Sequence, residues 1–257
     1  MHKPEISIIC PSIRPDNLDA IYDSILSSTK HSFELIVAGP YPLSTKLQGL
    51  KNVKYVKDFG SGVRASQIAA TMAEGELMVH TADDALFLPN ALDENIGLLT
   101  SMGNDGKNVV VAKYYEGQNG TEKVLQPDDY FKIKGSTWTA SKFISDSYWL
   151  FNVAIMHRSW FEELGGWDCS FEGTFYSHVD LAIRAQFAGS NVKMSEFPLL
   201  DCDHSQADHS PIEIAQTNFD KPLYFRKYGN PGWVMHPMNI NLDNWKDSDT
   251  VWSKRFK

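Results

Sequence analysis

The 257-residue chain lacks any apolar stretch near the roughly 20 residues that a membrane-spanning helix requires. It also has few cysteines: Cys10, Cys169 and Cys202 are far apart and form neither a disulfide framework nor a C-x-x-C metal knuckle. No secretory leader is evident, because the segment Glu5–Cys10 already has the pattern of a strand. These absences predict a protein of the reducing cytoplasm with no transmembrane segment.

Positive charge is also scarce. The formal net charge is -8, which argues against nucleic acid as the main partner because phosphate backbones are bound by clustered Lys and Arg. A nucleotide is not excluded, since one metal ion can neutralise its few phosphates. Hydrophobic residues at 42% and charged residues at 22% are ordinary for a soluble globular protein.

Strand and helix patterns alternate through the first part of the chain. Apolar runs at 5–10, 33–38, 53–56 and 76–81 predict strands, and segments with helical periodicity lie between them. This alternation predicts an α/β fold with a mostly parallel central sheet and helices on its faces. Later segments mix strand signals, aromatic residues and short helices. We therefore predict one domain with a nucleotide-type first half and a mixed second half.

Two adjacent carboxylates, Asp83 and Asp84, follow the fourth predicted strand, and Pro89 opens a helix shortly after them. In an open α/β sheet, ligands bind outside the carboxyl ends of the strands. Two acids at that position can hold a hard divalent cation, which can in turn hold phosphates. The alternative is that the two acids only end a strand and cap the helix that follows.

Several segments, taken in order, resemble the motifs of family 2-like nucleotide-sugar glycosyltransferases with the GT-A fold. The matching segments are Pro11-Ser-Ile-Arg14 after the first strand, Gly62–Gly75, Thr81–Ala85 at the D-x-D position, Gly165–Asp168 with Phe171 and Val179–Arg184, and then His204 and Phe225–Gly229. The resemblance spans about residues 5–230.

The resemblance implies a single GT-A domain over residues 1–257, which is an α/β fold. Its Rossmann-like nucleotide-sugar-binding half would cover about 1–107, its acceptor and catalytic half about 108–215, and a C-terminal helical extension about 216–257. The implied reaction is inverting transfer of a sugar from a UDP- or GDP-linked donor to a hydroxyl of a glycan or other acceptor. Mn²⁺ or Mg²⁺ is the implied cofactor, because a cation stabilises the leaving diphosphate.

The resemblance also assigns site residues. Asp84 and His204 would bind the metal, and Asp83 would contact the ribose or complete the metal shell. The other donor-binding residues would be Pro11, Ser12, Arg14, Asp58 and Arg64, and the acceptor-binding residues Trp167 and Asp168. Two of these have ordinary alternatives: Arg64 as an ion-pair partner of a neighbour, and Trp167 as a core residue.

The sequence departs from the family pattern at three places. Its second strand ends with Val37-Ala-Gly-Pro40 instead of two acids, which leaves Asp58 to serve the base alone. The D-x-D position begins with Ala82 and lacks its first acid. Ser177-His178 replaces the acidic pair that contains the usual general base.

The missing general base leaves Asp180 as the nearest carboxylate. We expect His178 at or before the start of a helix and Asp180 in its first turn, where the helix dipole favours an ionised carboxylate. Residues two apart on a helix do not share a face, so both are not expected to face the acceptor. We predict Asp180 as the base and keep His178 as the alternative. Asp180 can also be only the i,i+4 ion-pair partner of Arg184.

Two other functions fit parts of the sequence. A GT-A domain that binds nucleotide sugar without turnover would explain the missing acid. A metal-dependent phosphoester hydrolase would use Asp83, Asp84, His204 and His209. A sugar nucleotidylyltransferase is disfavoured, because its usual glycine-rich first loop is absent from Cys10–Pro15.

Overall fold

The computed structural model describes residues 3–117, 123–132, 148–206 and 213–228. The strands of these ranges are β1 (Ile6–Pro11), β2 (Phe33–Gly39), β3 (Val53–Lys57), β4 (Leu77–His80), β5 (Ala85–Phe87), β6 (Asn108–Val111), β7 (Tyr114–Gly117), β8 (Val124–Leu125), β9 (Ala154–His157), β10 (Asn191–Met194) and β11 (Leu200–Asp203). The α-helices are α1 (Leu18–Ser28), α2 (Thr45–Gln48), α3 (Gly62–Thr71), α4 (Ala91–Ser101), α5 (Arg158–Glu163), α6 (Thr174–Phe187) and α7 (Lys221–Tyr228).

A seven-stranded sheet with the order β10-β6-β9-β4-β1-β2-β3 forms the centre of the fold. Strand β1 pairs in parallel with β2 and β4, β2 with β3, and β6 with β10, while β9 runs antiparallel to β4 and β6. The predicted α/β fold with a mostly parallel sheet is therefore confirmed. A second sheet has the order β5-β11-β7-β8 and combines parallel and antiparallel pairs.

Side chains on both faces of the central strands are buried. All seven residues of β2 are buried, as are the first five residues of β1. Continuous apolar runs of this kind are typical of parallel strands covered on both sides. Helix α1 packs its buried residues Leu18, Ile21 and Ile25 toward this core. Strands β1 to β4 thus form a rigid base whose carboxyl ends share one edge.

Asp180 on α6 is the centre of a buried charge cluster that joins α6 to α7. Its side chain is 0% exposed. Its Oδ2 accepts from Arg184 Nε at 2.8 Å, and its Oδ1 accepts from Lys227 Nζ at 2.7 Å and from the Tyr228 hydroxyl at 2.5 Å. Lys227 also pairs with Asp168 at 2.6 Å. Two cations and two carboxylates therefore balance one another in the interior.

The N-terminus of α6 is held by a carboxylate from the same C-terminal region. Asp220, which is 0% exposed, accepts from the backbone N–H groups of Glu172 at 2.8 Å and Gly173 at 2.6 Å. Free N–H groups at a helix N-terminus favour an anionic partner. Residues 220–228 therefore contact both the start and the middle of α6. Helix α6 begins at Thr174, so the prediction that His178 lies at or before the helix start is wrong.

All three cysteines are buried and unpaired. Burial raises the pKa of the Cys10 and Cys202 thiols well above the usual value, so both stay protonated at neutral pH. Within the described ranges, no helix has both the length and the apolar character needed to cross a bilayer.

Replacing Asp180 with Asn should destabilise the protein by about 3–5 kcal/mol, because Arg184 and Lys227 would lose their buried counter-charge. Urea unfolding followed by circular dichroism measures this change. The matched control is Asp23→Asn, whose carboxylate pairs with Lys46 at 2.6 Å on the surface. Exposed pairs are screened by water, so the control should keep the wild-type midpoint. Equal midpoints for both variants would contradict the anchoring role of Asp180.

Candidate functional site

The turn after β1 is fastened to the end of β4 by Asp83. One oxygen of this carboxylate accepts from the backbone N–H groups of Ile13 at 2.8 Å and Arg14 at 2.9 Å, and from the Ser12 hydroxyl at 3.2 Å. The other oxygen is paired with the Arg14 guanidinium. Asp83 is therefore engaged with the Pro11–Arg14 turn, and it shapes the edge of the sheet beside Asp84.

A cavity of about 190 Å³ opens at this edge of the sheet, and we call it the site cavity. It brings together residues from β4, the second sheet and α6. Its lining consists of His80, Thr81, Ala82, Asp84, Tyr114, Asn152, Val153, Thr174, Phe175, His178, Leu200, Cys202 and His204. The site cavity therefore contains Asp84, His204 and His178 of the residues predicted from the sequence.

Asp84 has a buried carboxylate oxygen that lacks a partner. Its Oδ1 has no hydrogen bond within the described part of the chain, and its Oδ2 lies 4.0 Å from the Arg14 guanidinium. Burial raises the pKa of Asp84, an effect that His204 opposes and the charge of Asp83 adds to. An orphaned buried oxygen is costly. A cation bound at Asp84 would remove this cost, so the residue fits a role as a metal ligand.

His204 is oriented by a carboxylate that the sequence did not reveal. Its Nδ1 lies 2.7 Å from Glu116 Oε1, and the other oxygen of Glu116 accepts from Gln126 Nε2 at 2.8 Å. The carboxylate oxygen accepts this hydrogen bond, so Nδ1 is the donor and Nε2 is the ring nitrogen that could bind a metal. Carboxylate partners of this kind orient metal-binding histidines. Glu116 lies on β7, and no local pattern links it to His204.

His178 faces the site cavity as a neutral imidazole. Burial lowers its pKa to about 4, and no described residue makes a hydrogen bond to its ring. Its ring contacts His80 edge-on, with centroids 4.7 Å apart. The position of His178 inside α6 differs from the expected position at or before the helix start. The ring is unprotonated at neutral pH and open to the cavity, so it can accept a proton.

His80 supports the His178 ring from β4. Ser66 donates its proton to the Gly62 carbonyl at 2.8 Å, so it accepts the 3.1 Å hydrogen bond from His80 Nε2. This arrangement assigns the proton of neutral His80 to Nε2. Burial, with a contribution from His178, keeps the pKa of His80 well below its usual value. The two rings therefore pack as neutral neighbours.

Asp180 does not face the site cavity, so its predicted role as the base is wrong. Both of its oxygens are engaged in the cluster with Arg184, Lys227 and Tyr228. It also lies in the middle of α6 instead of in its first turn. The expectation that His178 and Asp180 would not both face the acceptor does agree with the structure, because the two side chains point to different sides of the helix.

The two predicted acceptor residues lie in the interior. Trp167 is 4% exposed and packs against Phe161 and His80, with ring centroids 4.6 and 5.2 Å away. This burial leaves no open face for a sugar, which corrects the stacking expectation. Burial alone would raise the pKa of Asp168, but the charge and hydrogen bond of Lys227 and the Ser170 contacts lower it to about 2. Asp168 thus belongs to the buried charge cluster.

Asp58 and Arg64 form an ion pair beyond the carboxyl end of β3. Arg64 Nε donates to Asp58 Oδ1 at 3.0 Å, and the Gly60 N–H donates to Asp58 Oδ2 at 2.8 Å. Asp58 is buried, and the Arg64 side chain is 22% exposed. The pair lies at the same edge of the sheet as the Pro11–Arg14 turn, because β1, β2 and β3 run parallel.

The described residues contain no group of three or more His, Cys, Asp or Glu side chains arranged to hold a metal ion. Within the described part of the chain, Asp84 and His204 are therefore the two candidate ligands in the site cavity. The metal-dependent hydrolase named as an alternative would use Asp83 together with these two residues. His209, which that alternative also requires, lies outside the described residues.

Comparison with known proteins identifies structures of similar fold but no protein of similar sequence. No protein-family model matches the chain, and no curated protein matches it. Among solved structures, S. aureus TarS residues 1–349 is similar, with a TM-score of 0.57 and 14% identity over 77% of this chain and 60% of that one. The same TarS segment in complex with UDP gives a TM-score of 0.55 and 12% identity, with the same shares of both chains covered. The chain thus spans less than two thirds of the TarS segment, and it has the α/β architecture of the GT-A fold.

Proposed function

We propose that this protein transfers a sugar from a nucleotide-diphosphate sugar to a hydroxyl group of a glycan or other acceptor. The observation that carries the proposal is the site cavity, where Asp84, His204 and His178 converge at the carboxyl ends of strands in a GT-A fold. Ligands of open α/β sheets bind at this edge. The cytoplasmic location expected from the unpaired cysteines is part of the same proposal.

The donor in this proposal is a UDP- or GDP-linked sugar. The TarS segment of similar fold has been solved with UDP, which supports a uridine nucleotide as the first to test. Asp58 and Arg64, together with the Pro11–Arg14 turn, lie at the edge where the nucleoside would bind. The Asp58 carboxylate can accept a base N–H, while Arg64 adds a positive charge near the phosphates.

Asp84 and His204 would hold Mn²⁺ or Mg²⁺, and the diphosphate oxygens and water would supply the remaining ligands. The bound cation would supply charge stabilisation for the diphosphate as it departs. The chain contributes the orphaned Asp84 oxygen and the His204 lone pair that Glu116 orients. Asp83 contributes indirectly, because it fixes the Pro11–Arg14 turn beside Asp84.

His178 acts as the general base in this proposal. Its neutral imidazole takes the proton of the acceptor hydroxyl while that oxygen attacks the anomeric carbon. The new carbon–oxygen bond forms as the bond to the diphosphate breaks, and the diphosphate leaves with the electron pair. Attack from the side opposite the leaving group inverts the configuration at the anomeric carbon. His178 lines the cavity, and its ring makes no hydrogen bond to a described residue.

UDP should bind far more tightly with Mn²⁺ than with EDTA, because Asp84 and His204 alone do not complete a metal site. In Asp84→Asn, the gain in affinity from Mn²⁺ should disappear, and transfer should fall at least about 10²-fold. Titration calorimetry measures both affinities. The control Asp128→Asn changes a carboxylate that pairs with Lys113 and does not line the site cavity. Identical UDP affinity with Mn²⁺ and with EDTA would rule out the metal role.

Glu116→Gln should weaken Mn²⁺ binding to the UDP-loaded protein about 10- to 100-fold, because a neutral amide no longer fixes the Nδ1–H form of His204. Titration of Mn²⁺ followed by electron paramagnetic resonance reads the free ion directly. Glu196→Gln is the matched control, since Glu196 pairs with Lys113 on the surface. Unchanged Mn²⁺ affinity in Glu116→Gln would show that Glu116 does not orient a ligand.

His178→Asn should reduce UDP release from UDP-sugars by about 10²–10⁴-fold, the usual contribution of a general base, and leave UDP affinity unchanged. His178→Asp should recover part of the rate, because a carboxylate restores a proton acceptor. The rate should stay flat from pH 8 to 6, since the pKa of about 4 keeps His178 neutral throughout that range.

The pH profile alone does not distinguish His178 from a carboxylate base, so the variants decide. His157→Asn, which changes a partly exposed histidine outside the site cavity, should keep the wild-type rate. A His178→Asn variant that turns over at the wild-type rate would remove His178 from the mechanism. If the wild-type protein binds UDP and releases none from any donor, a binding domain without turnover becomes the better description.

A further inference from the structure

Phe175 is a large apolar side chain that lines the site cavity and remains 42% exposed. It lies three residues before His178 on α6, and residues at that spacing share a helix face. Its ring touches Tyr176 edge-on, with centroids 5.2 Å apart and planes at 85°. This contact limits rotation of the ring. The structure thus presents an aromatic surface about one helical turn from the proposed base.

Phe175 differs from Phe187, another exposed aromatic residue of the described ranges, because it lines the site cavity. Phe187 lies on the same helix with 41% exposure but is not part of the cavity lining. Single exposed apolar side chains are common and need no function. An exposed ring that shares a cavity with the proposed base and a candidate metal ligand is a different situation, because an acceptor bound at His178 would lie in the same cavity.

The rest of the lining indicates what kind of molecule would contact this ring. Among the described lining residues, Thr174 supplies a hydroxyl group and Asn152 an amide group, and Asn152 Nδ2 donates to the Tyr114 hydroxyl at 3.2 Å. A neutral molecule with several hydroxyl groups could hydrogen-bond to groups of this kind beside the diphosphate that Asp84 and His204 would hold through the cation. A pyranose combines these properties, since its hydroxyls project around the ring while C–H groups cover its faces. Those C–H groups complement the negative face of an aromatic ring.

We propose that Phe175 is a stacking platform for a neutral pyranose acceptor, which it holds with a hydroxyl directed at His178. This inference rests on the proposed transferase function and narrows its acceptor to a cyclic saccharide. The sugar would stack on Phe175 and not on Trp167, which is buried in the core. Phe175 binds and positions the acceptor, while His178 takes the proton.

Saturation-transfer NMR on the full chain with UDP and diamagnetic Mg²⁺ tests the platform. The probes are methyl β-D-glucopyranoside, methyl α-D-mannopyranoside and methyl β-D-galactopyranoside. Sorbitol carries similar hydroxyls without a rigid ring face and serves as the ligand control. We expect at least one glycoside to receive saturation through its ring C–H protons and sorbitol to receive none.

Phe175→Ala should bind that glycoside about tenfold more weakly, the scale of one aromatic contact. Phe175→Tyr should retain binding because it keeps the aromatic face, and Phe187→Ala should behave as wild type. Calorimetric UDP affinity, measured on every variant, should not change, which shows that the donor site and the fold are intact.

Failure of the wild-type protein to bind any of the glycosides, or equal binding by Phe175→Ala, would overturn the platform. Sorbitol binding as strong as that of the glycosides would overturn it as well. Each of these results leaves the donor site untouched if UDP still binds. Loss of UDP binding in the wild type would instead count against the transferase function, so the two proposals can fail separately.

Discussion

Balanced charge around the buried carboxylate of Asp180 is the constraint on which the second half of the structure depends. A lone ionised carboxylate in the interior is strongly destabilising, whereas one paired with good geometry is tolerated. Arg184 and Lys227 provide that pairing, and Arg184 also donates to the carbonyls of Leu164 and Gly166. One carboxylate thus couples α6, α7 and the turn before α6, because none can move away without leaving charge unpaired.

This coupling matters for the site because α6 carries both His178 and Phe175. The helix uses opposite sides for opposite tasks: Asp180 faces the interior and anchors, while residues 175 and 178 face the cavity. The side chains on the cavity side of α6 can therefore remain without hydrogen-bond partners, since the contacts of Asp180 on the other side stabilise the helix. The same division appears at β4, where Asp83 is fully engaged with the β1 turn and Asp84 keeps an oxygen without a partner.

Local patterns were sufficient for four strands of the central sheet and for the position of the carboxylates at its edge. Apolar runs fixed β1 to β4, and the chain order of Asp83 and Asp84 after β4 placed them correctly. Partners far apart in sequence were not predictable. Glu116 reaches His204 from another strand, and Lys227 reaches Asp180 across 47 positions. A single sequence carries no signal for such pairs. For this reason Asp180 was predicted as an accessible base and Trp167 as an accessible acceptor-binding residue, although both are buried.

The long separation between α6 and its partners has a consequence for the order of events during synthesis. Asp220 caps the start of α6 from 47 positions downstream, and Lys227 reaches Asp180 over the same interval. At 5–20 residues per second, the ribosome needs about 2–9 s to produce that interval. Helix α6 therefore lacks its cap until Asp220 has left the exit tunnel, and it lacks its second counter-charge until Lys227 has done so. The central strands can assemble early, but helix α6, which carries His178, reaches its final packing only after Lys227 has been synthesised.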